Sequence, residues 1–189
     1  MSPITTKKTK RRVYTKKNYM SGDGMMTSVW GPVVWHMLHT MSFNYPVNPT
    51  TKDKKKFREF ILLLVHVLPC KHCRINLEKN LKQLPLTLDK MESRDTFSRY
   101  IYELHEIVNH MLKKESGLTY CDVRERYENF RARCLDKRKK QKQKKEDGCT
   151  EPLWNGVMKS KCVLHIVPKT RKMKTFKVDS KCVPKKKQD

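Results

Sequence analysis

Between residues 30 and 130 the apolar residues recur every three or four positions, and this period constrains the fold more than any other feature. Residues 34, 37, 38 and 41 show it first, and it returns in four later stretches. An alternating pattern, the mark of a half-buried strand, is missing before residue 150. The chain is therefore predicted to be all-α, with about five helices in a small bundle.

Prolines and capping residues set the predicted boundaries of the first three helices. These helices are predicted at residues 30–43, 50–68 and 70–81. Pro69 separates the second from the third, because the residue before a proline avoids the helical region.

A fourth and longer helix is expected to follow the loop around Pro85. Ser93 can cap its first turn, and Gly117 is expected to end it. A fifth, short helix is predicted to begin at Thr119 or Asp122.

The formal net charge of +24 lies mostly in the two flanks of this helical region. Residues 1–20 carry seven basic and no acidic residues, and residues 135–189 carry a net +12, against +5 for residues 21–134. We therefore divide the chain into a basic disordered arm at 1–22, a helical domain at 23–134 and a basic linker with a C-terminal extension at 135–189.

The flanks leave two interpretations open. Runs such as residues 137–145 attract polyanions without regard to base sequence, so weak binding of nucleic acid or of an acidic partner is one. A solubilising tail or a nuclear-type address is the other. Within the extension, residues 163–167 and 175–178 can form short strands.

Several functional classes are excluded by missing patterns. No apolar run approaches the roughly 20 residues of a membrane-spanning helix, so no membrane association is expected. The basic N-terminus is followed by no apolar stretch of a secretory signal. Glycine-rich phosphate-binding loops are also missing.

The sharpest local motif is Cys70-Lys71-His72-Cys73, at the start of the predicted third helix. Two intervening residues allow the sulfurs to form a disulfide, and the partial positive charge of a helix N-terminus favours a thiolate. The seven cysteines, an odd number without a signal peptide, argue against a secreted disulfide scaffold.

Three other interpretations of this motif are weighed. Structural zinc usually needs a second ligand pair at short spacing, and the sequence has no other CxxC: Cys121 and Cys134 are separated by 12 residues, as are Cys149 and Cys162. A thioredoxin-like fold needs strands around the motif, where the period is helical. A purely structural role is the third.

Two further segments carry polar or aromatic residues on the apolar helix faces. Trp35 and His39 are four residues apart, as are His105 and Asn109, so each pair shares a face. Buried polar groups need partners, which a bound cofactor would supply. As alternatives, Trp30 and Trp35 can be core residues, and the histidines and Asn109 can be bonded within the bundle.

Taken together, these segments resemble the Erv/ALR family of FAD-linked sulfhydryl oxidases, and the viral members most closely. The resemblance covers about residues 28–130. Its motifs are the Trp35–Thr40 segment, Tyr45-Pro46, Pro69 to Cys73, the segment with His105, Val108, Asn109, Leu112 and Lys114, and Arg126-Tyr127.

The resemblance implies a four-helix bundle with a short fifth helix and with FAD bound inside it. Cys70 would take electrons from a protein dithiol, and Cys73 would lie against the flavin. The flavin would pass two electrons to O2 and give hydrogen peroxide. The residues expected to contact FAD are Trp30, Gly31, Trp35, His39, Tyr45, His105, Val108, Asn109, Leu112, Lys114, Arg126 and Tyr127, and no metal site is expected.

Partners and compartment also follow from the resemblance. A homodimer through the first two helices is expected. The compartment is the host cytoplasm or the virion for a viral protein, or alternatively the mitochondrial intermembrane space.

Several positions depart from the family pattern. Pro32 replaces a common arginine, Leu68 a common aromatic residue and Glu106 an asparagine, which affects single FAD contacts. Cellular members join the fourth helix to the Cys121 region by a disulfide, but the matching position is Tyr102.

The remaining cysteines each have more than one candidate role. Cys121 is expected to be a free core thiol or to pair with Cys134. Two of Cys134, Cys149, Cys162 and Cys182 are a candidate shuttle dithiol, with an accessory disulfide or unused thiols as the alternative. The alternative function for the whole chain is a non-enzymatic basic helical module that binds nucleic acid or zinc, with a structural CxxC.

Overall fold

Six α-helices make up most of the structure, a computed structural model that describes residues 14–22, 24–129 and 131–133 and strand segments at 151–152, 162–164 and 176–178. A single 3-10 turn, Asp89–Met91, precedes α5. The helices are α1 (Lys16–Tyr19), α2 (Thr27–Phe43), α3 (Thr51–Val67), α4 (Lys71–Gln83), α5 (Arg94–Met111) and α6 (Tyr120–Glu128). Helices α2 to α5 form the bundle and α6 is the short fifth helix, so the predicted all-α fold is confirmed.

Capping boxes begin four of these helices. Thr15, Thr50, Ser93 and Thr119 each accept a hydrogen bond from the backbone N–H three residues later, and that residue's side chain accepts one in return. Such capping boxes satisfy N–H groups that have no partner within the helix. The predicted starts of α3 and α5 are confirmed, and of the two starts considered for α6 the structure uses Thr119.

Helix α2 begins at Thr27, three residues earlier than predicted. The apolar period starts only at Trp30, which is why the first turn was missed. Pro32 lies inside the helix and has no N–H to donate to the carbonyl of residue 28.

The predicted end of α5 at Gly117 is wrong, because the helix ends at Met111. Lys113 takes the left-handed conformation, with φ 53°, and the N–H of Lys114 bonds to the carbonyl of Asn109 at 2.9 Å. This is the usual closure of a helix C-terminus, with a lysine where glycine is commoner. Gly117 lies in the loop before α6.

The core lies between α2, α3, α4 and α5, and α2 packs most extensively on α5. Its buried side chains are Leu38, Tyr45, Ile61, Leu64, Leu77, Leu86, Met91, Phe97, Tyr100, Ile101 and Leu104. A smaller cluster of Phe43, Tyr120 and Val123 buries the inner face of α6. Three apolar residues that the helical period placed in the core are exposed instead: Met37 (42%), Met111 (42%) and Leu112 (50%).

The loop before α6 is tied to α5 by a tyrosine. The Tyr102 hydroxyl donates to the Leu118 carbonyl at 2.8 Å. Cys121 is a free thiol on the exposed side of α6, not a core thiol. A hydrogen bond from Tyr102 thus links the two segments that a disulfide was expected to join in cellular members.

Two short antiparallel ladders follow α6. Strand β1 (Ala132–Arg133) pairs with β2 (Glu151–Pro152), and β3 (Cys162–Leu164) pairs with β4 (Phe176–Val178). The second ladder coincides with the two predicted strand stretches, whereas β1 lies before residue 150, where none was predicted.

Some of the predictions concern residues outside the described ones: the first 13 residues, the basic run at 137–145, Cys134, Cys149 and Cys182. Within the described part of the chain, no helix combines the length and apolarity needed to cross a membrane.

Candidate active site

The cysteine pair lies where α3 turns into α4. Cys70 is the N-cap residue of α4, and its sulfur accepts a hydrogen bond from the Cys73 backbone N–H at 3.2 Å. The Arg74 guanidinium donates to the Leu68 carbonyl and so ties α4 back to the end of α3. Both cysteines are free thiols and half-buried. The pair sits on the first turn of a helix, as the sequence predicted.

The two thiols differ in acidity. A hydrogen bond from the Cys73 side chain lowers the pKa of Cys70 below its usual 9.0, with further help from backbone N–H groups. Burial raises the pKa of Cys73 above the same value. Cys70 is therefore the more nucleophilic sulfur near neutral pH, since the thiolate is the reactive form.

A short segment of residues 24–27, here named the N-terminal brace, lies beside this pair. The Met25 N–H donates to the Pro69 carbonyl at 2.7 Å. The Trp30 indole N–H donates to the Met25 carbonyl at 3.0 Å. The Thr27 hydroxyl lies 3.6 Å from the Cys73 sulfur. Trp30, expected to contact a cofactor, thus also anchors the brace to α2.

Further along α2, five aromatic side chains from three helices form what we call the ring cluster. Its members are Trp35, His36 and His39 from α2, His105 from α5 and Tyr127 from α6. The Trp35 indole and the His105 imidazole stack with their centroids 4.0 Å apart and their planes within 6°. His39 Nε2 lies 3.0 Å from His105 Nδ1, and His36 Nδ1 lies 3.2 Å from the Tyr127 hydroxyl.

Two histidines of the ring cluster, the buried His39 and the half-buried His105, are neutral at physiological pH. Burial, together with the neighbouring His105, lowers the pKa of His39 to about 3. Burial also lowers the pKa of His105 to about 4. Since both rings are neutral, one nitrogen donates and the other accepts in the bond between them.

Two buried polar atoms beside the rings have no hydrogen-bond partner among the described residues, His39 Nδ1 and Arg126 Nε. Buried donors and acceptors are almost always paired in native proteins, so each such atom needs an explanation. A bound group with polar atoms would satisfy both. The residues present therefore fit a cofactor with polar atoms at this place.

Helix α2 connects the cysteines to the ring cluster. Thr27 lies at its start beside Cys73, and Trp35 lies eight residues further on, about 12 Å along the axis at 1.5 Å per residue. An elongated dinucleotide with a ring system at each end suits this arrangement. The residues present thus fit FAD.

Other residues predicted to contact the cofactor lie on α5, just past its end and in the cleft between α5 and α6. The Asn109 amide donates to the Glu106 carboxylate at 2.8 Å, and Val108 is half-buried on the same helix. Leu112 is 50% exposed just past the end of α5. Lys114 lines an open cleft of about 470 Å³ between the end of α5 and the start of α6.

Gly31 is buried, and a Cβ there would lie 3.4 Å from the Thr27 methyl group. Its small size therefore serves the packing of α2 on its own first turn.

Tyr45, which was expected to contact FAD, lies in the hydrophobic core. It is 0% exposed, its ring packs against Phe57 and Phe97, and its hydroxyl donates to the Met91 carbonyl at 3.0 Å. A side chain enclosed on all sides has no surface left for a cofactor. Tyr45 is therefore a core residue, and its sequence position just after α2 did not reveal this.

Two residues of the site were missed. His36 follows Trp35 directly, and its place beside a tryptophan was a usable signal. Thr27 carries no motif, because its contact with Cys73 spans 46 residues and depends on the brace.

Metal ligation by these residues would need at least three suitable side chains close together. Within the part of the chain that the structure describes, no group of three or more His, Cys, Asp or Glu side chains could hold a metal ion. The cysteine pair thus has no third ligand there.

Comparison with known proteins identifies relatives of the helical region. The sequence model of the Erv1 / Alr family matches residues 32–129. A probable FAD-linked sulfhydryl oxidase of Acanthamoeba polyphaga mimivirus is 35% identical over 104 residues, which cover 55% of this chain and 72% of that protein. The mitochondrial FAD-linked sulfhydryl oxidase of Saccharomyces cerevisiae is 31% identical over 98 residues, 52% of this chain and 50% of its own length.

Solved structures agree with this grouping. The crystal structure of the yeast Erv1 core matches with a TM-score of 0.50 and 25% identity, over 67% of this chain and 96% of that chain. The FAD binding domain of Erv1 from Saccharomyces cerevisiae matches with a TM-score of 0.50 and 27% identity, over 55% of this chain and 94% of that chain. The family predicted from the motifs is confirmed: this chain belongs to the Erv1 / Alr family.

Proposed function

We propose that this protein is an FAD-linked thiol oxidase. It forms disulfides in protein dithiols through Cys70 and Cys73 and delivers the electrons to dioxygen, with hydrogen peroxide as the product. Relatives named FAD-linked sulfhydryl oxidases support the class of enzyme. The observation that carries the proposal is the arrangement along α2, with an asymmetric CxxC pair at one end and the stacked ring cluster at the other.

Disulfide exchange with the substrate takes two steps, in which first Cys73 and then Cys70 is the leaving group. A substrate thiolate attacks the Cys70 sulfur of the Cys70–Cys73 disulfide, the bond between the two cysteines breaks, and Cys73 leaves as a thiolate. The second substrate thiolate then attacks the mixed disulfide, and Cys70 leaves. The substrate gains a disulfide, and the protein gains two electrons.

The pKa difference between the cysteines favours the second step only. The lower pKa of Cys70 makes it the better leaving group there, because a more acidic thiol leaves faster, whereas the raised pKa of Cys73 makes Cys73 the poorer leaving group in the first step. Cys73 lies further inside, next to Thr27 at the start of α2. The half-buried Cys70 is thus suited to meet a protein substrate, and Cys73 to pass electrons inward.

The bundle supplies the groups that would hold the cofactor. Bound FAD would supply the two-electron redox chemistry between the thiols and dioxygen. The stacked pair Trp35 and His105 offers an aromatic platform for a flat ring. His39 Nδ1 and Arg126 Nε would supply hydrogen bonds to its polar atoms. Because both histidines are neutral, the positive charge beside this platform comes from Arg126 and not from the imidazoles.

We also propose that the protein acts as a homodimer. Val33 and Met37 are exposed one turn apart on α2, and Leu63 and Val67 are exposed one turn apart on α3. Paired apolar side chains on a helix surface are typical of a covered face. Light scattering should give twice the mass of the chain for the wild type and half of that for Met37→Lys with Leu63→Lys. A monomeric wild type would reject the dimer.

Viral relatives favour a host cytoplasm or virion location, since thiol oxidation in the reducing cytosol suits the assembly of disulfide-bonded virion proteins. Recovery of the protein only from mitochondria of infected or expressing cells would contradict this location.

The absorbance spectrum and the turnover of a dithiol test the enzyme assignment. We expect a yellow protein that oxidises a reduced protein dithiol and loses this activity in Cys70→Ser and in Cys73→Ser. Cys121→Ser, which changes an exposed thiol on α6, is the matched control and should keep full turnover. A colourless protein with one zinc per chain would support the structural-CxxC module instead.

A further inference from the structure

The N-terminal brace is held from two sides. Gly24 forms an antiparallel bridge with Cys70, and the Met25 N–H bonds to the Pro69 carbonyl at 2.7 Å. The Met25 carbonyl in turn accepts the Trp30 indole N–H at 3.0 Å. The brace therefore joins the backbone of a redox cysteine to the first turn of α2.

Gly24 is the residue that permits this close approach. Its φ of +109° is one that side chains rarely adopt, and a Cβ would lie 2.7 Å from the Pro69 oxygen and 2.9 Å from the Cys70 Cα. Both are backbone atoms, so neither can turn aside. Gly22, two residues earlier, would meet no described atom within 4 Å of an added Cβ. The requirement for glycine thus belongs to position 24 and to the bridge.

The brace places one hydroxyl beside the inner sulfur. Thr27 is the first residue of α2, and its Oγ1 lies 3.6 Å from the Cys73 sulfur. A hydroxyl carries one O–H donor, and a thiolate can only accept. The bond therefore strengthens when Cys73 becomes negatively charged, because hydrogen bonds to charged partners are the stronger ones.

We propose that Thr27 stabilises the Cys73 thiolate released during disulfide exchange, and that Gly24 is a positioning residue that holds Thr27 in place. This inference rests on the proposed function. As the substrate sulfur bonds to Cys70, the Cys70–Cys73 bond breaks and its electron pair goes to the Cys73 sulfur. The Thr27 hydroxyl keeps its proton throughout and donates a hydrogen bond to that charge.

The effect of Thr27 on the Cys73 thiolate is measured in a Cys70→Ser variant, so that the signal comes from Cys73 and not from Cys70. In Cys70→Ser the serine keeps a good N-cap for α4, and Cys73 is the remaining thiol of the pair. The rate of Cys73 alkylation by iodoacetamide is followed across pH by peptide mass spectrometry in the full chain. The midpoint of this profile measures how strongly the protein favours the thiolate.

Added to that background, Thr27→Val should raise the midpoint by about 0.5 to 1 pH unit, the worth of one ordinary hydrogen bond, since the contact is exposed and solvent weakens its charge-assisted part. Thr27→Ser keeps the hydroxyl and should restore the midpoint. Gly24→Ala should raise it as Thr27→Val does, whereas Gly22→Ala, the matched glycine control, should leave it unchanged. Thermal unfolding of each variant reports whether the bundle is intact.

An unchanged midpoint in Thr27→Val would overturn the proposal, as would a Thr27→Ser variant that behaves like valine. Equal midpoints for Gly24→Ala and Gly22→Ala would show that Gly24 does not position Thr27. The measurement needs neither flavin nor oxygen. Failure of the oxidase assignment would therefore show in the turnover assay and leave these midpoints unaffected.

Discussion

The Trp35 indole lies parallel to the His105 imidazole, with the ring centroids 4.0 Å apart. Helix α2 provides the first ring and α5 the second, and these two helices form the most extensive contact of the bundle. The stack therefore depends on the fold as a whole. It also gives the proposed FAD site a platform that can be removed by a single substitution.

Trp35→Ala should weaken flavin binding about tenfold or more, since stacking on an aromatic side chain contributes about 1–3 kcal/mol per base. Trp35→Phe should lose less, because a ring remains. Titration of the flavin-free protein by flavin fluorescence measures the affinity. Leu88→Ala, which trims an exposed side chain in the loop before α5, is the control. Equal affinity of Trp35→Ala and the wild type would exclude the stack from the site.

The buried His39 and the half-buried His105 should make the protein lose stability in mild acid. An unfolded histidine titrates near 6.5, whereas folded His39 and His105 titrate at about 3 and about 4. Below pH 6.5 the unfolded chain thus binds protons that the folded chain does not. Stability is fully present above 6.5 and falls by about 1.4 kcal/mol per pH unit for each histidine.

Urea unfolding at pH 7, 6 and 5 checks this slope. His105→Gln removes one of the two titrating rings, so its free energy of unfolding should fall less steeply over this range than that of the wild type. Parallel curves for variant and wild type would show that His105 is not neutral as described.

Cys70 should react faster than Cys73 with iodoacetamide at pH 7 in the reduced protein. The pKa of Cys70 is lowered by the hydrogen bond from Cys73, and that of Cys73 is raised by burial. Peptide mass spectrometry after short exposures measures both rates, and the exposed Cys121 serves as an internal reference. Faster labelling of Cys73 would reverse the assigned order of the two sulfurs.

Tyr45→Phe should lower stability and leave flavin affinity unchanged. The substitution removes the hydrogen bond to the Met91 carbonyl and leaves that acceptor buried, at a cost of about 1–3 kcal/mol. Urea unfolding and flavin titration of the same sample separate the two effects. A loss of affinity without a loss of stability would return Tyr45 to the cofactor site.

The helices could be predicted from the sequence because their signals are local. Thr50, Ser93 and Thr119 lie where their capping boxes act, and Pro69 lies at the junction it creates. The end of α5 could not be predicted, since Lys113 adopts a conformation that sequence rules assign to glycine.

The site residues that could be predicted are likewise those with a local sequence signal. Cys70 and Cys73 belong to one short motif, and the pairs Trp35 with His39 and His105 with Asn109 repeat at helical spacing. Thr27, by contrast, reaches the site only because the brace crosses the start of α4. A contact of that kind depends on tertiary structure and has no counterpart in local patterns.

The central claim is that Cys70 and Cys73 carry electrons from a protein dithiol to dioxygen. Oxygen uptake recorded against disulfides formed, in the flavin-loaded full chain, tests it most directly. The proposed function predicts one O2 consumed and one hydrogen peroxide released per disulfide, and no uptake in Cys70→Ser or Cys73→Ser. Uptake that persists in both variants, or a flavin-loaded wild type that consumes no oxygen with the dithiol, would contradict it.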